Sequence, residues 1–216
     1  MKTDLGLVKY AKKALAEKWG YVWGTYGQVL TENLLKSKIS QYPSQVGNYQ
    51  NTIRQKWLNK KTVDCIGLIK AYMWDKDGKV TYNSATDVNA NMMYNNAKEK
   101  GTINTMPEIS GLAVYKQGHI GVYIGSGQVI EAHNTSKGVI QTPLKGAGST
   151  AWTHWLKVPY IEYELTLNEA IEYLQKNGYM DSPDYWRQNA VKGKLVKGDI
   201  ASFIIIKWAK SLMEKK

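Results

Sequence analysis

Gly118-His119-Ile120-Gly121-Val122-Tyr123-Ile124-Gly125-Ser126-Gly127-Gln128-Val129-Ile130-Glu131-Ala132-His133-Asn134 reads as two β-strands joined by a glycine-rich turn, and its register decides the fold. Side chains alternate between the two faces of a strand, so a slip of one residue exchanges the faces. A two-residue turn at Ser126-Gly127 sets Ile120 and Val122 opposite His133 and Glu131, which mixes apolar with polar positions. A three-residue loop Gly125-Ser126-Gly127, with Gly127 left-handed in a bulge, instead pairs Ile120 with Ala132 and Val122 with Ile130. That register makes one face apolar. It also puts His119 opposite His133 and diagonal to Glu131, so three ionisable groups gather on the other face.

Outward from this hairpin, 111–117 and 138–142 read as flanking strands, with one more near 155–161, and together they make an antiparallel meander. The chain before it is helical. Helices are expected over roughly 2–18, in two short pieces between 27 and 60 around Tyr42-Pro43-Ser44 (the second about 48–58), over 63–74, and over about 87–99. Asp75-Lys76-Asp77-Gly78 opens like a calcium loop, but the ligand series that should follow is absent and the stretch reads as a turn. Helices followed by a meander give an α+β domain. After Tyr163 the pattern is helical again, over about 167–177, 183–190 and 199–213, the middle helix opened by Ser182-Pro183. The expected division is a domain over 1–162 and a three-helix module over 163–216.

Composition narrows the function classes. Fifteen Tyr and eight Trp stand against one Phe. Such rings carry a polar handle and suit sugars and other half-polar surfaces, although the bias is equally readable as a quirk of composition. The net charge of +11 attracts polyanions: nucleic acid, anionic membrane or an anionic cell wall. The lysines are dispersed, with no basic arm, zinc-finger spacing or RNP-type motif, so nucleic acid is set aside as a partner. No apolar run approaches a membrane-spanning length, and charges interrupt the first residues where a signal peptide needs an apolar core. Synthesis in the cytosol without membrane insertion is the expectation. A single cysteine excludes intrachain disulfides and multi-cysteine metal sites. No metal or organic cofactor is expected.

That cysteine lies in Val63-Asp64-Cys65-Ile66-Gly67-Leu68-Ile69, at the first turn of an expected helix. Unpaired N–H groups and the positive end of the dipole favour a thiolate there, which should lower its pKa. A lone cysteine in an apolar run also reads as a small buried hydrophobe. A nucleophile beside a base that a third polar group orients is what acyl transfer requires, and Cys65, His119 and Glu131 or His133 could supply it.

Asp64-Cys65-x-Gly67-Leu68, then His119-Ile120-Gly121-Val122-Tyr123-Ile124-Gly125, preceded by Tyr21-Val22-Trp23-Gly24, resembles the NlpC-type cell-wall cysteine peptidases, papain-like in fold. The resemblance covers about 19–160. It implies that Cys65 attacks, that His119 is the base, and that the polar residue twelve positions after the histidine orients it. Here that residue is Glu131, where the family usually has His, Asn or Gln; this is closer to the related CHAP amidase pattern. Glu131 is thus the third member, with His133 in reserve, and Tyr21, Trp23 and His133 are candidate substrate-binding residues. Ile66 replaces the usual serine that helps to bind the free N-terminus of trimmed stem peptides, which favours intact, glycan-linked peptides. The connection from Gly24 to Asp64 is far longer than the family's, and reads either as a shaper of substrate binding or as a neutral decoration.

The implied activity is hydrolysis of a peptidoglycan stem-peptide amide through a thioester, as a D-glutamyl–diamino acid endopeptidase or as an N-acetylmuramoyl-L-alanine amidase. Rivals of other classes are a non-catalytic wall-binding or phage-structural protein, and a transglutaminase or acyltransferase. The tail, with Leu165-Thr166-Leu167-Asn168-Glu169-Ala170-Ile171 and Ser182-Pro183-Asp184-Tyr185-Trp186, resembles a helical module at the end of clostridial cell-wall lysins. Together these features resemble a phage or prophage endolysin, which a holin releases to peptidoglycan and the anionic wall.

Overall fold

In the computed structural model, which describes residues 2–163, 165–190 and 198–214, Val122 pairs with Ile130 and Tyr123 with Val129. This is the register that the apolar pattern demands. The turn that delivers it is not the expected three-residue loop. Gly125 pairs with Gln128, leaving a two-residue loop in which Ser126 (φ 52°) and Gly127 (φ 69°) are both left-handed, as a type I′ turn requires. A bulge between Tyr123 and Gly125 supplies the extra residue and restores the apolar face.

Within Met1–Tyr163 the elements run α1 (Asp4–Ala16), β1 (Gly20–Tyr21), β2 (Tyr26–Val29), α2 (Glu32–Gln41), α3 (Gln50–Trp57), β3 (Lys61–Val63) and α4 (Cys65–Trp74). There follow β4 (Asp75–Lys76), β5 (Lys79–Val80), α5 (Ala90–Asn96), β6 (Lys100–Thr102), β7 (Ala113–Lys116), β8 (His119–Gly125), β9 (Gln128–Asn134), β10 (Gly138–Pro143) and β11 (His154–Leu156). The main sheet has the order β10-β9-β8-β7-β11-β6, with every neighbouring pair antiparallel. The strand expected over 155–161 is only three residues long and inserts between β7 and β6. The small sheet β1-β3-β2 was not foreseen, since its strands of two to four residues are too short to show a period. Asp75–Gly78 is a hairpin turn, with Asp77 (φ 51°) and Gly78 (φ 86°) left-handed between β4 and β5.

Helix α4 is the centre of the unit. Every residue in it except Met73 is buried, so it carries no polar stripe. Its apolar side chains pack with Leu7, Ala11 and Ala14 of α1 and with the sheet face of Ile120, Val122, Ile130 and Ala132. The opposite sheet face is also covered: Val114, Tyr123 and Val129 pack with Leu112 and Trp152. Burial of both faces shuts Glu131, on that second face, away from bulk water.

The second unit, Glu164–Lys216, contains α6 (Leu167–Lys176), α7 (Pro183–Asn189) and α8 (Gly198–Met213). A capping box opens α6: the Thr166 side chain accepts from the Glu169 N–H while the Glu169 carboxylate accepts from the Thr166 N–H. Ala170, Ile171, Leu174, Met180, Ala190, Ile205 and Ala209 form its core. Tyr163 belongs to the first unit, one residue beyond the expected boundary. Its hydroxyl donates to the Gly111 carbonyl (3.0 Å) and accepts from the Val158 N–H (2.8 Å). The residue at which the module was expected to begin is thus anchored to the first unit.

Residues 1–163 should therefore fold as a soluble fragment, whereas Tyr163→Ala within it should cost about 2 kcal/mol through lost packing and two lost hydrogen bonds. Thermal unfolding followed by circular dichroism checks both; an insoluble 1–163 would mean that the fold needs the second unit.

Candidate active site

Asp64 sets the start of α4. Its Oδ1 accepts from the Gly67 N–H (2.6 Å) and its Oδ2 from the Gly24 N–H (2.8 Å), so one buried side chain caps the helix and holds the loop after β1. An added Cβ at Gly67 would collide with the Thr25 carbonyl oxygen, which is why the fourth residue of Asp64-Cys65-Ile66-Gly67 has no side chain. Burial pushes the Asp64 carboxyl up, opposed by Lys70, by those two N–H groups and by Lys38.

Cys65 follows at the first helical position and is 5 % exposed. Its sulfur lies 3.9 Å from the Gly118 carbonyl and is approached by the Ile120 N–H, so it rests against the backbone on both sides of His119. Burial, with Asp64 adding to it, pushes the thiol up to about 12, and the N–H groups of Ile66, Ile120 and Cys65 itself offset this only in part. The lowered pKa expected from the helix start is thus overturned by desolvation. A thiol in this state would act as a nucleophile only with a base to take its proton.

His119 is the imidazole whose flanking backbone touches that sulfur. Its Nε2 lies 2.7 Å from Oε2 of Glu131, which leaves Nδ1 as the nitrogen that can accept a proton. The imidazole stacks on Trp152, with centroids 5.4 Å apart and planes at 8°. Glu131 is fully buried in β9, and its Oε1 accepts from the hydroxyls of Thr142 (2.7 Å) and Thr150 (2.5 Å). Burial pushes this carboxyl up, but the hydrogen bonds from His119, Thr150 and Thr142 outweigh it and hold it below the usual carboxylate range.

The remaining sequence candidates separate. His133 has its ring centroid 6.4 Å from that of His119, and its buried Nδ1 has no partner among the described residues. Burial lowers its pKa, which favours the neutral ring. Tyr21 is buried, and desolvation with Cys65 and Asp64 nearby pushes its phenol up. Trp23 is exposed on the wall of a cleft of about 750 Å³ that also includes Lys38, Tyr42, Cys65 and Asp87. His133 does not line this cleft. Sequence reasoning missed Thr142, Thr150 and Trp152. Thr142 could have been found by carrying the β9 register into β10, where Ile140 pairs with Glu131 and Thr142 with Val129. Thr150 and Trp152 lie outside any periodic element and gave no signal. Among the described residues no cluster of His, Cys, Asp or Glu could hold a metal ion.

The family model described as the NlpC/P60 family matches residues 21–158. Among solved structures, the chain is similar to the peptidoglycan hydrolase RipB from Mycobacterium tuberculosis, at 21 % identity over 74 % of this chain and 67 % of that one, with a TM-score of 0.39. It is similar to the P60 domain of antigen MAP1204 from M. avium subspecies paratuberculosis, at 22 % identity over 74 % and 98 %, with a TM-score of 0.39. A third is the NlpC/p60 domain of the peptidoglycan hydrolase SagA, at 15 % identity over 71 % and 97 %, also with a TM-score of 0.39. No curated protein matches the chain.

Because the folded pKa of Glu131 is depressed, its carboxylate contributes stability that is fully present above its unfolded value of about 4.3 and is lost as pH falls through the folded value. Thr142→Val with Thr150→Val should raise the folded value, so acid unfolding should begin at higher pH than in the wild type. Denaturant unfolding across pH 3–6 measures this; an unchanged profile would mean that the hydroxyls do not hold the charge.

Proposed function

The chain belongs to the NlpC/P60 family, and on that premise we propose that it hydrolyses an amide bond of the peptidoglycan stem peptide with Cys65 as nucleophile. The observation that carries this reading is the His119–Glu131 hydrogen bond, made where the backbone on either side of His119 touches the Cys65 sulfur. In the proposed reaction His119 Nδ1 takes the thiol proton as the sulfur attacks the scissile carbonyl. N–H groups at the start of α4 stabilise the oxyanion. Collapse expels the amine, which takes the proton from His119, and leaves an acyl-thioester. Water, deprotonated by the same imidazole, then releases the carboxylate and restores the thiol.

Glu131 remains an acceptor throughout. It holds the imidazole in the Nε2–H tautomer and stabilises the imidazolium once it forms. Trp23, on the cleft wall, is read as a substrate contact, and Tyr21 as a buried support beside the nucleophile. The absence of a hydroxyl at Ile66 supports intact, glycan-linked peptides as substrates and a D-glutamyl–diamino acid endopeptidase as the first assignment. The acidic third residue supports N-acetylmuramoyl-L-alanine amidase as the second. In the C-terminal unit Tyr179, Tyr185, Phe203 and Trp208 are exposed, which supports a wall-binding role for it. The net charge of +11 supports attraction to an anionic wall and a bacteriolytic, phage-type role.

Cys65→Ala should abolish digestion of purified peptidoglycan without loss of the fold, and retained hydrolysis would overturn the cysteine mechanism. Glu131→Gln should lower the rate about 10-fold or more, and His133→Ala by less. Mass spectrometry of the wild-type products distinguishes the two bonds: new diamino-acid amino termini for the endopeptidase, free lactyl carboxylates for the amidase.

A further inference from the structure

The long connection between Gly24 and Asp64 reaches the cleft. Lys38 and Gln41 of α2, and Tyr42 just after it, line the same depression as Cys65. Two ammonium groups lie there, in different circumstances. Lys70 Nζ is 2.6 Å from Asp87 Oδ1, and the other Asp87 oxygen accepts from the Tyr82 hydroxyl at 3.0 Å. That charge is matched within the protein.

Lys38 is not matched in this way. Its Nζ donates to Gln41 Oε1 (2.9 Å) and lies 5.6 Å from the Tyr42 ring centroid, and among the described residues it makes no ion pair. Asp64 and Asp87 attract it at longer range, but Asp64 is bound by two N–H groups and Asp87 by Lys70. Burial, with Lys70 adding to it, lowers the Lys38 pKa despite the pull of those carboxylates. An under-solvated cation in a substrate cleft gains most from an anion brought by the substrate. Its position is close to the nucleophile's support: a Cβ added at Gly24, whose N–H holds Asp64, would meet Lys38 Nζ at 3.3 Å.

We propose that Lys38 is a specificity-determining residue that pairs with a free carboxylate of the stem peptide near the scissile bond, so that carboxylate-bearing peptides are cleaved in preference to amidated ones. This rests on the reading that Cys65 hydrolyses stem peptides. The natural partner is the α-carboxylate of a γ-linked glutamyl residue. Its carboxamide counterpart has nearly the same shape but no charge, so one charge-assisted hydrogen bond distinguishes them. The long connection thereby acts as a reader of substrate charge rather than as a surface decoration.

The test uses the full chain and two soluble muropeptides, each a stem peptide still joined to its N-acetylmuramic acid, that differ only in carboxylate against carboxamide at that glutamyl residue. The wild type should favour the carboxylate in kcat/KM by about 10-fold or more, the ratio one charge-assisted hydrogen bond supports. In Lys38→Met the ratio should collapse towards one, and Lys38→Arg should restore most of it. A wild type that cleaves both peptides equally, or a Lys38→Met protein that keeps the wild-type ratio, would overturn this proposal and leave the hydrolase reading standing. A wild type that cleaves neither, or a Cys65→Ala protein that cleaves both, would overturn the hydrolase reading and this proposal with it.

Discussion

The buried carboxylate of Asp64 is the constraint on which the site's geometry depends. It is 7 % exposed at the edge of the cleft, so its oxygens are largely satisfied inside the protein, and each accepts from a backbone N–H. One belongs to the helix that begins with Cys65, the other to the loop that carries Trp23. A second tie, from the Asp64 N–H to the Thr25 carbonyl at 3.0 Å, closes the same junction from the backbone side. The helix that begins with Cys65 and the cleft wall are thereby fixed to each other through main-chain donors. Loss of this carboxylate would leave two donors unpaired and free the cleft wall from Cys65.

A second buried carboxylate, Glu131, works by a different logic. Asp64 is satisfied by main-chain groups that every sequence supplies, whereas Glu131 depends on two threonine hydroxyls and an imidazole. The hydroxyls leave its far oxygen occupied and aim the near one at His119. The ring is then pinned between that oxygen and the indole of Trp152. The second device exists because the sheet is covered on its two faces, so the Glu131 charge has no water to fall back on.

Much of this was legible in the residues. Alternation over 118–134 dictated the pairing of Val122 with Ile130, because any other register would bury polar side chains against α4. The helix start at Asp64-Cys65 was legible, whereas the cap that Asp64 supplies and the steric need for Gly67 show only in the structure. What stayed hidden has physical causes. The apolar pairing demanded an extra residue, but not that it lies in a bulge before Gly125 rather than at Gly127. The threonines that satisfy Glu131 come from β10 and a loop, joined to it only in three dimensions. The thiol's environment was misjudged because a helix terminus is a local property, whereas desolvation depends on everything packed around it. Likewise, the long connection between Gly24 and Asp64 showed its helices but not which way they face.

The burial of Cys65 has a consequence for chemical durability. Peroxides and small alkylating agents react with thiolates far faster than with thiols, and a sulfur that is 5 % exposed and rests protonated offers them little to attack. A resting thiolate would be converted to sulfenic and higher acids in oxidising surroundings, and with one cysteine in the chain no second thiol could rescue it within the molecule. In the proposed mechanism the reactive species arises only while His119 holds the proton during attack. A nucleophile used in that way is kept intact because it is not exposed until an acyl group is in place to receive it.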